Sequence, residues 1–236
     1  MQQTLTYQAD GLTMRSRLFV GDADGARPGI LVFPEAFGLG ENALERAERL
    51  AAHGFVVLAA DLHGQGQVVS DLAEAVGLIA PLRQDPLRCR ARAQAAMDAL
   101  LERPEVDAAR LGAIGFCFGG TMALELARAG ADLKAVVGFH SGLATTRPQD
   151  AAQIRARIHV FLGADDPGIP PEQRTAFEAE MKQTRIDWQM TVFGSVVHSF
   201  TNKKADLLNR PDFARYDAAA DARSWAGMMQ LFAESF

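Results

Sequence analysis

Short apolar runs alternate along the chain with longer segments in which apolar residues recur every three or four positions. The runs are typical of strands buried on both faces, and the longer segments are typical of amphipathic helices. The pattern predicts strands over residues 29–33, 55–60, 110–115, 133–139, 158–162 and 186–193. It predicts helices over residues 42–53, 87–103, 118–129, 171–183 and 218–236, the first with Asn42 as N-cap and Gly54 as its stop.

The alternation of buried strands and helices predicts an α/β fold: a mostly parallel sheet with helices on both faces. No internal repeat, low-complexity tract or linker interrupts the pattern, so we expect one domain over residues 1–236. In such sheets, ligands bind outside the carboxyl ends of the strands. The residues that follow each strand are therefore the candidates for function.

Composition and charge exclude several classes of protein. The 236 residues are 48% hydrophobic and 22% charged, which is typical of a globular domain. A net charge of −5 without a basic block argues against nucleic acid or an anionic membrane as partner. Two cysteines are too few for a disulfide framework and indicate a reducing compartment. The first residues lack the features of a signal peptide, and no apolar run approaches the roughly 20 residues of a membrane helix, so we expect a cytoplasmic protein.

The segment 115–120, Gly-Phe-Cys-Phe-Gly-Gly, lies between a predicted strand and a predicted helix. It has the form of the G-x-S-x-G nucleophile elbow, with Cys117 in the serine position. In that turn the nucleophile adopts a strained backbone conformation, and flanking glycines leave room for the strand and helix that cross there. The helix N-terminus favours a thiolate. The same residues also suit a buried structural cysteine or a phosphate-binding turn.

A thiol nucleophile needs a base, and the base needs a group that orients it. In α/β-hydrolases the chain order is nucleophile, acid, histidine. Of the five histidines, only His198 lies beyond the acid candidates Asp165 and Asp166, which follow the strand 158–162. Pattern position favours Asp166, although either aspartate could instead cap the turn at this place. A lone loop histidine is usually an ordinary solvated residue, but the order along the chain makes His198 the candidate base.

A second carboxylate, Glu35, ends the predicted strand 29–33. By itself it would be interpreted as a solvated charge before a turn. Here it falls on the loop that supplies one oxyanion-hole amide in α/β-hydrolases, so its carboxylate should face the thiol. We expect the backbone amides of Ala36 and Phe118 to stabilise an oxyanion.

These segments together resemble the dienelactone hydrolase family, and the similarity runs nearly end to end. The resemblance implies a triad of Cys117, His198 and Asp166, and a glutamate, Glu35, that pairs with the resting thiol and releases it when substrate binds. It also implies hydrolysis of an enol-lactone or activated ester without metal or cofactor. The segments that carry the similarity are residues 30–38, 115–124, 163–170 and 198–200.

One departure from the family concerns the substrate carboxylate, which dienelactone hydrolases proper hold with arginines. One of these arginines follows the catalytic histidine in His-Ser-Phe-Ala-Arg, where this chain has His-Ser-Phe-Thr-Asn over 198–202. Asn202 cannot provide a bidentate cationic fork, and Lys203 is not an equivalent substitute. Arg83 is a candidate for the second arginine. The remaining candidates for substrate contacts are Phe37, His140, Phe200 and Asn202.

The sequence therefore predicts a hydrolase that forms a thioacyl-enzyme intermediate on a small-molecule ester or lactone, as a monomer or small homo-oligomer. Two alternatives remain open. One is a catalytically silent binding module with the same fold. The other is a thiol redox sensor that uses Cys117 and Cys89, with Cys89 expected on the polar side of its helix among three arginines.

Overall fold

Eight strands form the centre of the computed structural model, which describes residues 1–22 and 25–236. In chain order the strands are Gln2–Ala9 (β1), Leu12–Val20 (β2), Arg27–Phe33 (β3), Val56–Ala59 (β4), Val106–Phe116 (β5), Ala135–Phe139 (β6), Arg157–Gly163 (β7) and Trp188–Phe193 (β8). They form one sheet in the spatial order β1-β2-β4-β3-β5-β6-β7-β8.

The described residues also form six α-helices and two short 3₁₀ helices, of which the last 3₁₀ helix and the last α-helix follow β8. The α-helices are Glu41–Ala52 (α1), Leu72–Gln84 (α2), Pro86–Leu101 (α3), Phe118–Arg128 (α4), Pro171–Met181 (α5) and Ala218–Ser235 (α6). The 3₁₀ helices are Pro148–Gln153 and Ala205–Leu208. Among the described residues, none of the helices combines the length and the apolarity that crossing a bilayer requires.

The sheet is mostly parallel, which confirms the predicted fold class. Strands β3 to β8 pair in parallel, whereas β1 and β2 form an antiparallel hairpin whose second strand runs antiparallel to β4. Apolar clusters cover both faces: α2 to α5 contribute to one, and α1 and α6 contribute to the other. The central strands β4 and β6 are buried along their whole length, which is why they appear as unbroken apolar runs.

The first helix begins one residue earlier than predicted, and Asn42 is not its N-cap. Gly40 occupies that position without a side-chain hydrogen bond, and Asn42 lies inside the first turn with its side chain buried. The prediction was wrong because the amide of Asn42 binds a carboxylate of the preceding loop instead of the helix backbone. Gly54 follows the helix with a φ of +93°, as expected of a residue that ends it.

Cys89 lies on the buried face of α3, contrary to expectation. It is 1% exposed, and its thiol donates to the carbonyl of Leu82 at 3.2 Å. The neighbouring arginines misled the prediction because they are not a solvated face. Arg88 and Arg92 both bind Asp10, and Arg90 binds Glu125. Burial raises the pKa of the Cys89 thiol to about 12, so this cysteine is a poor partner for a redox exchange.

Candidate active site

Cys117 occupies the turn between β5 and α4, as the elbow motif predicts. Its φ of +55° lies in the left-handed region, which is rare for a residue with a side chain. The turn is too tight for other side chains nearby. A Cβ at Gly119 would collide with the carbonyl of Phe33, and one at Gly115 would collide with the backbone of Gly119. The glycines of the motif are therefore needed for α4 to pass so close to β3 and β5.

His198 and Asp166 meet beside this turn, at the carboxyl edge of the sheet. The Nδ1 of His198 donates to Oδ2 of Asp166 at 2.7 Å, and the other carboxylate oxygen accepts from the amide of Gly168 at 2.8 Å. Asp166 is 2% exposed, whereas Asp165 is exposed. The geometry thus separates the two aspartates that the sequence left as alternatives.

The charges around Cys117 favour its thiolate. Burial raises the pKa of this thiol, but the charge of His198 and a hydrogen bond from its imidazole outweigh burial, and the pKa lies below its ordinary value. Burial likewise lowers the pKa of His198, but Cys117 and Asp166 together raise it to about 10. Compared with a free cysteine and a free histidine, this pair is therefore shifted towards the thiolate and the imidazolium.

The two residues expected to form an oxyanion hole, Ala36 and Phe118, lie in the loop after β3 and at the start of α4. The amide of Ala36, in the loop after β3, donates to Cys117 and helps to lower its pKa. Phe118 is the first residue of α4, where helix geometry leaves the N–H without a partner in the preceding turn. Both residues line the same cavity as Cys117.

Glu35 is buried next to Cys117 and is held by two carboxamides. Its Oε1 accepts from Nδ2 of Asn42 at 2.7 Å and from Nδ2 of Asn202 at 3.1 Å. Burial raises the pKa of Glu35. Asn202, a predicted substrate contact, thus binds Glu35, and it is not among the cavity-lining residues. Asn42 was missed as a site residue because an asparagine near a helix start is more often a cap.

A cavity of about 270 Å³ opens above Cys117. Phe37 and Arg83, two of the residues expected to contact substrate, lie in its wall. His140 and Phe200 were expected there as well, but both are 0% exposed and pack behind the elbow, so that prediction was wrong. The remaining wall residues are Glu35, Ala36, Leu72, Val76, Ile79, Cys117, Phe118, Gly142, Gly168, Ile169, His198, Ser199, Leu208 and Phe213.

The lysines after His198 lie at the surface. Lys203 pairs with Glu45, and Lys204 pairs with Glu41. Among the described residues, Arg83 is the arginine or lysine that lines the cavity. Over the described ranges, 1–22 and 25–236, no three histidine, cysteine or carboxylate side chains form a group that could hold a metal ion.

Comparison with known proteins bears on the family of this chain. The model of the dienelactone hydrolase family matches residues 15–236. The chain belongs to the dienelactone hydrolase family. This confirms the resemblance that the motifs indicated, and the chain is accordingly an ester or lactone hydrolase.

Individual relatives of this family member extend the comparison. A Bradyrhizobium protein described as "Probable 2-oxo-3-(5-oxofuran-2-ylidene)propanoate lactonase" is 32% identical over 75% of this chain and 74% of its own length. A crystal structure of a "Dienelactone Hydrolase-like Promiscuous Phospotriesterase P91 from Metagenomic Libraries" is 44% identical with a TM-score of 0.94, over 100% of this chain and 98% of that one. The dienelactone hydrolase of Anabaena variabilis, with 19% identity, a TM-score of 0.68 and 97% of each chain covered, shares the fold.

Proposed function

We propose that this hydrolase cleaves an enol-lactone or an activated ester through a Cys117–His198–Asp166 triad and a thioacyl-enzyme intermediate. The observation that carries the proposal is the 2.7 Å hydrogen bond between His198 and Asp166, with the thiol of Cys117 on the other side of the imidazole. Nucleophile, base and orienting acid then stand in the order that acyl transfer requires.

In the first step the Cys117 thiolate attacks the acyl carbon, and the carbonyl oxygen becomes an oxyanion. The amides of Ala36 and Phe118 donate to this oxygen, which stabilises the charge where it develops. The C–O bond to the leaving group breaks, and the proton on Nε2 of His198 passes to that oxygen. In a lactone the leaving oxygen stays attached to the acyl chain, so the product of this step is a ring-opened thioester.

In the second step neutral His198 takes a proton from water, and the resulting hydroxide attacks the thioester carbon. The tetrahedral intermediate expels the thiolate of Cys117 and releases a carboxylic acid. Asp166 holds Nδ1–H throughout, so that Nε2 always faces the reacting atoms. Substrate and one water are consumed, and the thiolate–imidazolium pair is restored.

Thiolate chemistry narrows the class of substrate. A thiolate leaves a tetrahedral intermediate more easily than an alkoxide, so an ordinary alkyl ester would return to substrate. An enol ester or strained lactone expels a stabilised enolate, and an aryl ester expels a phenolate, so these substrates proceed forward. Arg83 supplies one cation to the cavity wall, which suits a substrate with a single anionic group.

Trapping of the intermediate tests the proposal. The purified protein is mixed with an aryl ester, quenched in acid within the first turnover and digested, and the peptide that contains Cys117 is weighed. We expect that peptide to carry the acyl mass, and Cys117→Ala to carry none and to lose turnover. A Cys89→Ser variant is the matched control and should behave as the wild type. Full turnover by Cys117→Ala, or by protein alkylated at Cys117, would contradict the mechanism.

One observation favours a second activity, on phosphotriesters: the relative described as a promiscuous phosphotriesterase is 44% identical over the whole of this chain. A thiolate beside two oxyanion-binding amides suits attack on phosphorus as well as on carbon, since both reactions build negative charge on a substrate oxygen. Hydrolysis of an aryl dialkyl phosphate that disappears in Cys117→Ala would support this activity. Its absence in the wild type would restrict the site to carbon esters.

A further inference from the structure

Two buried histidines outside the proposed triad bind backbone groups of the proposed site, one in the turn of Cys117 and one in the loop of Ala36. His140 follows β6 and His63 follows β4, so both stand at the carboxyl edge of the sheet. Neither of them is among the residues that line the cavity above Cys117. Each is nevertheless tied by a ring nitrogen to a backbone group of the proposed machinery.

His140 contacts the nucleophile's own amide. The N–H of Cys117 donates to Nδ1 of His140 at 3.2 Å and also to the carbonyl of Phe139 at 3.0 Å. Because Nδ1 accepts, the ring proton of neutral His140 is on Nε2, which lies 2.8 Å from the hydroxyl of Thr201. Thr201 belongs to the segment that follows His198. His140 therefore links the elbow that carries the nucleophile to the loop that carries the base.

His63 contacts the other side of the site. Its Nε2 lies 2.8 Å from the carbonyl of Ala36, and since a carbonyl only accepts, Nε2–H is the donor. The amide of Ala36 is the one that donates to the sulfur of Cys117. His63 thus fixes the loop whose N–H is proposed to bind the oxyanion.

We propose that His140 and His63 are positioning residues of the acyl-transfer reaction, one for the Cys117 backbone and one for the Ala36 loop. Cys117 has a positive φ, and a strained conformation persists only where the surroundings fix it. The sulfur of Cys117 and the amide of Ala36 belong to separate loops. The distance between them therefore depends on the contacts that hold each loop in place. These roles rest on the proposed function.

The role of His140 needs a neutral imidazole, because Nδ1 must accept a hydrogen bond, and the surroundings supply one. Burial lowers the pKa of His140 well below its ordinary value, and the charges of His198 and Arg46 lower it further. A second proton on His140 would remove the acceptor for the Cys117 amide. Burial also lowers the pKa of His63. The Nε2–H donor of His63 is therefore present without a ring charge.

The two histidines use different ring nitrogens, and this gives a crossed test. Asparagine places its side-chain oxygen where Nδ1 of histidine lies, and glutamine places its side-chain nitrogen where Nε2 lies. At position 140 we therefore expect His140→Asn to keep kcat within about threefold and His140→Gln to lower it about tenfold, the size of one hydrogen bond. At position 63 we expect the reverse order: His63→Gln keeps kcat within about threefold, and His63→Asn lowers kcat about tenfold.

The readouts separate positioning from folding. We expect KM to change by less than about twofold in all four variants, because neither ring touches the cavity. The rate at which iodoacetamide alkylates Cys117 at pH 7 should fall about fivefold in His140→Gln and stay unchanged in His140→Asn, because displaced sulfur loses its imidazolium partner. Melting curves identify any variant that fails to fold. Thr201→Val removes only the hydrogen-bond partner of His140 Nε2, and we expect it to lower kcat less than His140→Gln does.

Two results would overturn the inference. One is an equal fall in kcat for the asparagine and glutamine variants at each position, and the other is a rise in KM with no change in kcat. The alkylation assay needs no substrate. If Cys117→Ala retains turnover, the proposed function fails, whereas the alkylation rates still report whether His140 positions the sulfur.

Discussion

The side-chain amide of Asn202 donates to Oε1 of Glu35, the same oxygen that accepts from Asn42. Resemblance to the family implied that this glutamate pairs with the resting thiol. In this chain Asn202, the residue that departs from the family's arginine, binds Glu35, while the charge of His198 and a hydrogen bond from its imidazole lower the pKa of Cys117. We therefore expect the thiol to rest as a thiolate beside His198, before any substrate arrives.

Alkylation without substrate checks this expectation. Because the pKa of Cys117 lies below its ordinary value, iodoacetamide should label it stoichiometrically near pH 7 and leave Cys89 unlabelled. In His198→Ala, burial and the charge of Glu35 raise the pKa of Cys117 without opposition from an imidazolium. Labelling at pH 7 should then slow about 10- to 100-fold. Replacement of the exposed His53 by alanine is the control and should have no effect.

The pH dependence of kcat/KM follows from the same pair. Activity should rise with pH as Cys117 loses its proton, reach a plateau through neutral pH, and fall again near pH 10 as His198 loses the proton it gives to the leaving group. The fall should be absent from the alkylation profile, which needs only the thiolate. A single rising limb in both profiles would contradict the ion pair.

Adjacent aspartates offer a matched pair of variants. Asp166→Asn replaces the acceptor of His198 Nδ1–H with an amide that favours the wrong tautomer, so we expect kcat to fall about 10²- to 10⁴-fold. Asp165→Asn changes an exposed neighbour and should leave kcat within about twofold. Steady-state kinetics on one aryl ester measure both variants. Similar losses in the two would mean that Asp166 does not orient the base.

Much of this site could be predicted because strand ends of a parallel sheet meet at one edge. Cys117, Asp166 and His198 each follow a strand, so their order along the chain already selected one histidine from five. The hairpin of β1 and β2 was missed because β1 alternates exposed and half-buried residues at the edge of the sheet. Helix α2 was missed because Pro81 lies inside it and weakens its pattern.

The contacts that hold the site in place could not be predicted. Glu35 and Asn202 are 167 positions apart, and His140 and Thr201 are 61 apart. Such pairs depend on how loops from different strands fold back, which hydrophobic spacing does not encode. His140 was accordingly expected in the cavity wall, since a histidine after a strand gives no sign of the direction in which its ring points.

Removal of the buried charge of Glu35 should stabilise the protein. Burial raises the pKa of Glu35 in the folded state above its unfolded value. At a pH below the unfolded-state pKa the carboxyl is neutral in both states, and its burial costs no charge desolvation. As pH rises through the folded-state pKa, the buried carboxyl becomes charged and the free energy of unfolding falls. Glu35→Gln keeps an oxygen for both asparagines, so its melting temperature should exceed that of the wild type by about 2–4 °C at pH 8, about 1 kcal/mol for a chain of this size.

The difference should vanish at about pH 3, where the wild-type carboxyl is protonated in both the folded and the unfolded state. Exposed Glu48 on α1 provides the control, since Glu48→Gln should shift the melting temperature little at either pH. A Glu35→Gln protein that is less stable at pH 8 would show that the carboxylate charge contributes more through its two hydrogen bonds than burial costs.

We expect Arg83 to decide whether the cavity selects an anionic substrate. It lines the cavity above Cys117, its guanidinium lies 5.9 Å from the centre of the Phe118 ring, and it also borders a second cavity of about 260 Å³. Asn202 binds Glu35 and Lys203 pairs with Glu45 at the surface, so among the described residues no second arginine or lysine lines this cavity beside Arg83. We expect Arg83→Leu to raise KM about tenfold for a lactone that carries a carboxylate, the size of one partly exposed charged hydrogen bond.

The same lactone without its carboxylate should keep its KM within about twofold in Arg83→Leu, and kcat should hold for both, because the guanidinium binds substrate equally in ground and transition states. Lys203→Gln removes a nearby charge that does not line the cavity and should leave both substrates unaffected. Arg83→Lys should recover part of the affinity, since it restores the charge without the planar fork. Equal losses on the two lactones would mean that Arg83 shapes the wall and does not bind an anion.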